Sequence, residues 1–240
     1  MSSTYSFASP KPREARKRYS GFMAWMDASR DAVYELLYAG GVPALGCLRR
    51  IAFGEYDWYQ SRAVLVLCRL ASEGIQTDEI TTDIVRAVET WEWETVCGSL
   101  PGLSLLAIHS SELAQKLLQL SDDWAQDEPI EQLEVLEPLS IHVPEVARER
   151  VDALYRLMRE QGKGMARSEL ADGHTVVVGN EIQAQSGRAY PRVPDLHAIR
   201  AGLVLRRLRP EDSEVEGILR DWAENHPDPR IQRELNEILD

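Results

Sequence analysis

The residue types that carry out chemistry are present in this chain, but their spacing assembles none of the common catalytic sites. A phosphate cradle needs a glycine-rich loop closing on Lys and then Ser or Thr, and Gly162-Lys163-Gly164 lacks that spacing. His109, His142, His174, His197 and His226 stand singly with no His-Glu-x-x-His pair, so a metal would need ligands gathered from distant segments. Cys68 and Cys97 sit in apolar runs that disfavour the thiolate, which assigns them to packing rather than to nucleophilic attack. Ser99 and Ser104 lack a nucleophile elbow. Asp122-Asp123 with Asp127-Glu128 could pair as acid and base, but a solvated acidic turn is the simpler reading. No metal and no cofactor is expected.

Recognition chemistry is better represented. From Asp122 to Glu137 the chain carries seven carboxylates, Asp122, Asp123, Asp127, Glu128, Glu131, Glu134 and Glu137, and no Lys or Arg. Such a stretch projects a negative field that suits a basic partner, or it keeps a helix surface wet. Tyr56-Asp57-Trp58-Tyr59 and Trp91-Glu92-Trp93-Glu94 fall at expected turns, where large aromatics either anchor a partner or wedge neighbouring helices together. The candidate partner-binding residues are therefore Trp58, Tyr59, Trp91, Trp93, Asp122, Asp123, Asp127, Glu128 and Glu131. Basic groups cluster at 11–18 and at Arg200, Arg206, Arg207 and Arg209. With a net charge of -12 and no long Lys/Arg stripe, nucleic acid is not the expected ligand.

The elements that must position these residues read as helices. Apolar residues recur at helical spacing over 14–38, 42–53, 57–72, 77–91 and 93–108, with Gly40-Gly41, Gly54 and Gly74 as stops. Pro101-Gly102 predicts a kink or short break in the last of these. Further helices are expected from Ser110-Ser111 through Leu120, over 131–139 and 143–161, and over 196–208, 213–223 and 229–239. Between 163 and 192 the pattern fails. There Thr175, Val176, Val177 and Val178 read as a strand pairing with 181–185 across Gly179-Asn180, a hairpin insertion at about 174–186. Residues 1–12 read as a flexible leader, and 13–240 as one helical domain, large enough for a continuous core at 44% hydrophobic residues. An odd number of cysteines without a CxxC pair fits a reducing cytoplasm, and neither a signal peptide nor a membrane-spanning run is legible.

Two segments carry a family resemblance. Asp228-Pro229-Arg230-Ile231-Gln232, followed by Leu235 and Ile238, resembles the turn that opens the second helix of a HEAT repeat, with Gln232 where that family usually has Arg. Val143-Pro144-Glu145-Val146-Ala147-Arg148, followed by Val151 and Leu154, is similar with Arg148 shifted by one position. A looser case runs from Asp57 through Arg62, Ala63 and Leu67, and Trp58 and Trp93 stand 35 residues apart, a spacing that suits a helix pair. The resemblance implies an all-α fold, a HEAT-like α-solenoid of stacked antiparallel helix pairs, working as a protein-binding module. One form of that role is an acidic immunity or adaptor protein for a basic partner. The alternative it implies is an enzyme on the same scaffold, similar to bilin lyases or DNA glycosylases, with Arg188, Tyr190, Arg192 and His174 around an anionic ligand.

Overall fold

The computed structural model describes residues 22–127, 129–161, 166–169, 175–178, 196–226 and 228–240. They form an all-α, multi-helix architecture to which one short two-stranded ladder is added. The chain divides into two compact units, Met1–Lys116 and Leu117–Asp240, and the boundary falls inside a helix.

Unit one contains α1 (Phe22–Gly40), α2 (Leu45–Ala52), α3 (Gln60–Ser72), α4 (Thr77–Ala87), α5 (Trp93–Leu106) and the first residues of α6 (Ser111–Asp127). Three side-chain hydrogen bonds between its helices span the same distance along the chain. The Tyr38 hydroxyl donates to Glu73 at 2.7 Å and Arg69 donates to the Tyr34 hydroxyl at 3.4 Å, both across 35 residues. The Thr95 hydroxyl donates to Gln60 Oε1 at 2.7 Å across the same 35. Asp31 pairs with Arg62 at 3.3 Å, so contacts between α1 and α3 advance in one direction along both helices. Gly98 lies against Ser61 and Gly102 against Cys68, which gives α3 and α5 the same relation. Thus α1, α3 and α5 lie side by side and run parallel. The connecting helices α2 and α4 make their own contacts through Arg49 with Asp83 at 3.5 Å, and through Phe53 stacked on Trp91 at 6.1 Å.

The seam between α3 and α5 holds the core of this unit. Leu67 and Cys68 of α3, Leu103 and Leu106 of α5, and Ile80 and Ile84 of α4 are all fully buried. Apolar burial on this scale is the dominant stabilising term. Gly102 permits the close approach: a Cβ at that position would stand 2.9 Å from Cys68 Cβ. The end of α3 is closed by Gly74 at φ 90, where the Gly74 and Ile75 amides return to the Ala71 and Leu70 carbonyls, both at 3.0 Å. A side chain is strained in that left-handed conformation, so glycine belongs there.

Two expectations are corrected in this unit. Of the kink or short break expected at Pro101-Gly102, the break is absent: the helix runs unbroken from Trp93 to Leu106. Pro101 is exposed, so its ring faces away from the packed seam, and the Ser104 hydroxyl donates to the Pro101 carbonyl at 3.2 Å. The helix expected from 57 starts at Gln60, because Asp57 Oδ1 accepts the Tyr59 amide at 2.6 Å and folds 57–59 into a local turn instead.

Unit two contains the rest of α6, then α7 (Gln132–His142), α8 (Pro144–Ala147), α9 (Val151–Gln161), β1 (Ala166–Glu169), β2 (Thr175–Val178), α10 (Leu196–Leu208), α11 (Ser213–Asn225) and α12 (Pro229–Leu239). A 3-10 turn over Arg148–Arg150 joins α8 to α9. Helices α7 and α10 run parallel: Arg200 meets Glu134 at 2.8 Å and Glu137 at 2.7 Å, while Arg207 donates to the Ser140 hydroxyl at 2.8 Å. Arg206 then donates to the Ile238 and Leu239 carbonyls at 2.8 and 3.1 Å, satisfying orphan acceptors at the end of α12. Aspartates cap both α11 and α12. Asp212 Oδ1 accepts the Glu214 and Val215 amides, and Asp228 Oδ1 accepts the Arg230 amide at 2.9 Å with Pro229 in the first turn.

The strand Thr175–Val178 pairs with Ala166–Glu169, antiparallel, with Ala166 opposite Val178 and Glu169 opposite Thr175. This partner lies upstream of the strand. The expected partner, 181–185, lies outside the described residues, as do the leader 1–12 and the basic cluster 11–18.

Candidate functional site

The aromatic segments singled out in the sequence converge on one edge of unit one. Because α3 and α5 are parallel and in step, the turns preceding them lie at the same end, and these turns carry Tyr56, Trp58 and Tyr59 on one side and Trp93 on the other. All four rings are solvent-facing: Tyr56 is 46% exposed, Trp58 57%, Tyr59 40% and Trp93 44%. All four are thus large aromatics left exposed near the starts of α3 and α5. Trp91 behaves differently. It is half-buried and stacks on Phe53, so it joins the turn after α2 to the end of α4 as a wedge.

The edge has a rigid backing that the sequence alone does not reveal. Gln60 is 2% exposed; its amide nitrogen donates to the Ala52 and Gly54 carbonyls at 3.2 and 3.3 Å, and its oxygen accepts from the buried Thr95 hydroxyl. One side chain therefore ties the loop carrying Tyr56, Trp58 and Tyr59 to the first turn of α5. A glutamine at a helix start invites reading as a surface residue. Only its recurrence 35 residues before Thr95, matching Trp58 with Trp93, gives a hint of its place.

Carboxylates frame the rings. Residues 53–61 and 91–98 contain Glu55, Asp57, Glu92 and Glu94 and no Lys, Arg or His, and all four carboxylates are on exposed residues.

The acidic stretch in unit two is a different case, because much of its charge is used internally. Arg150 grips Asp122 with two nitrogens, at 2.8 and 2.6 Å, and that bond raises the arginine pKa. Burial opposes the charge on Arg200, yet its bonds to Glu134 and Glu137 carry its pKa upward on balance. Asp123 accepts from Gln119 at 3.0 Å, and Glu131 is half-buried. The Asp127 side chain and Glu128 lie outside the described residues. The field expected from seven carboxylates is reduced by two arginines that the linear sequence places well downstream.

A groove of about 670 Å³ in unit two is lined by Leu203, Val204, Ile238, Arg206, Arg207 and Glu216. Its polar groups are committed to the fold: Arg206 pairs with Glu216 at 2.9 Å and caps α12, and Arg207 holds Ser140. No group of three or more potential metal ligands occurs among the described residues. Among the described residues no helix is long and apolar enough to cross a membrane. His174, Arg188, Tyr190 and Arg192, the residues of the enzymatic alternative, lie outside the described residues.

The three cysteines are free thiols in unlike settings: Cys47 is exposed, Cys97 half-buried and Cys68 enclosed, where burial pushes its thiol pKa up. A disulfide-exchange reagent is expected to modify Cys47 rapidly in the folded protein and to reach Cys68 only on unfolding. Mass mapping of the modified peptides checks this; equal rates at Cys47 and Cys68 would contradict the burial of Cys68.

Comparison of the chain with protein-family models, with curated proteins and with solved structures finds no match.

Proposed function

We propose that this chain is a protein-interaction module on a HEAT-like stack of helix pairs, an adaptor or immunity protein whose partner is a basic protein. The observation that carries the reading is the edge of Tyr56, Trp58, Tyr59 and Trp93, four exposed rings held on a buried scaffold by Gln60 and Thr95. Rigid aromatics give large contact area at low entropic cost, and Trp and Tyr dominate binding energy at interfaces. The stacked arrangement is supported by the recurring 35-residue step in unit one and by the capped turn at Asp228-Pro229. The net charge of -12 supports a basic partner, and three free thiols support a reducing, cytoplasmic setting.

The test is parallel affinity capture from the native host with the wild-type chain and the Trp58→Ala/Trp93→Ala variant, followed by identification of retained proteins. A specific protein should be retained by the wild type and lost, or weakened by about 30-fold, with the variant, while the helical circular dichroism is unchanged. Identical retention by both chains would remove the aromatic edge as the contact surface. An interaction indifferent to ionic strength would remove the basic partner.

A further inference from the structure

We infer that α12 is a latch of unit two that detaches as one cooperative element, with Arg206 as its catch. This goes beyond the interaction reading, since it concerns the second unit and needs nothing of the aromatic edge. Three nitrogens of one side chain carry it. Arg206 Nε donates to Glu216 of α11 at 2.9 Å, while its Nη1 and Nη2 donate to the Ile238 and Leu239 carbonyls of α12 at 2.8 and 3.1 Å. Glu216 is itself held in place, because its other oxygen meets Arg220 at 2.7 Å. A single guanidinium thus joins α10, α11 and α12 at one point.

The apolar hold on α12 is small by comparison. Among the described residues it packs chiefly against α11, and two of its eleven residues, Leu235 and Leu239, are buried, one turn apart on one face. Helix α10 buries seven of its thirteen. The free energy of opening a segment follows the apolar surface it keeps from water, so α12 opens before the body it rests on. At the start of α12 the attachments are local: Asp228 caps the helix, and Gln232 donates to the Glu224 carbonyl at 3.0 Å across the turn on which α12 would swing. The far end depends on Arg206. Ile238, Arg206 and Glu216 all line the groove of about 670 Å³, so that groove exists in this form only while the latch is closed.

Hydrogen exchange of the full chain under native conditions, read by mass spectrometry over α10, α11 and α12, tests the latch. After correction for intrinsic rates, the amides of α12 should exchange at least about tenfold faster than those of α10, through an opening that α10 does not share. Arg206→Gln should speed α12 by a further factor of about ten or more and leave α10 within about threefold of its wild-type rate, since bonds from a charged donor are lost at α12 alone. Arg206→Lys should fall between the two, because an ammonium cannot reproduce the planar fork that spans two carbonyls and a carboxylate. Arg159→Gln, which removes an exposed ion pair of 2.7 Å to Glu214, should leave α12 unchanged. Exchange of α12 in step with α10 in the wild type overturns the inference, and this comparison needs no variant to fold. Wild-type protection of α12 in Arg206→Gln overturns it too, as does an equal gain in rate at α10 and α12, which would make Arg206 a support of the whole unit.

Discussion

Gly102→Leu is expected to lower the unfolding free energy by about 3 kcal/mol, the upper part of the range for forcing extra volume into a packed core. The first added atom already meets Cys68 Cβ at 2.9 Å and Leu65 Cδ2 at 3.1 Å, and Cys68 itself is fully buried. Neither helix can retreat cheaply, since α3 is also held from its other side by the contacts of Tyr34 and Tyr38 with Arg69 and Glu73. For a chain of this size the melting temperature should fall by roughly 6–12 °C. Gly217 in α11 provides the contrast: it is exposed, nothing lies within 4 Å of a Cβ there, and Gly217→Ala should raise stability by about 0.5–1 kcal/mol through helix propensity. Thermal and urea unfolding of both variants checks the pair. A Gly102→Leu protein as stable as the wild type would mean that α3 and α5 are not in close contact.

Gln60→Leu should cost about 2–3 kcal/mol and should also weaken partner binding, although Gln60 itself is buried. Leucine is similar in volume but leaves the Ala52 and Gly54 carbonyls and the Thr95 hydroxyl without the partners they now have. Thr95→Val alone should be costly for the complementary reason, because it leaves the Gln60 oxygen buried and unsatisfied. The double variant should cost less than the sum of the two, by about 1 kcal/mol or more, since removing both members of a buried bond relieves the orphaned group. Unfolding in urea supplies the cycle, and the binding assay supplies the second readout. Additive losses would show that the two side chains are not coupled. Unchanged binding in a folded Gln60→Leu protein would show that the rings do not depend on this tie for their placement.

Much of the helical architecture is written locally. Stops at Gly40 and Gly74, caps at Asp212 and Asp228, and a proline in the first turn of α12 act over a few residues, so they can be read without knowing the fold. The misreadings have local competitors behind them. Asp57 was free to cap a helix or to fold its own turn, and it does the latter. Pro101 breaks a helix only where its ring and missing amide cannot be accommodated, and an exposed site inside a long helix accommodates both.

What the linear sequence determined on its own is the set of helices, their approximate ends and the 35-residue recurrence, because hydrophobic period and capping are short-range properties of the chain. It also placed Trp58 and Tyr59 in a turn, where they are found exposed, whereas Trp93 is the exposed first residue of α5. The tertiary structure decided which charges remain available. Asp122 is separated from Arg150 by 28 residues and Glu137 from Arg200 by 63, so no local pattern announces that these carboxylates are already paired. It also decided that Gln60 is a buried tie and Trp91 a wedge, since both outcomes depend on which helices become neighbours once apolar faces are sealed against one another.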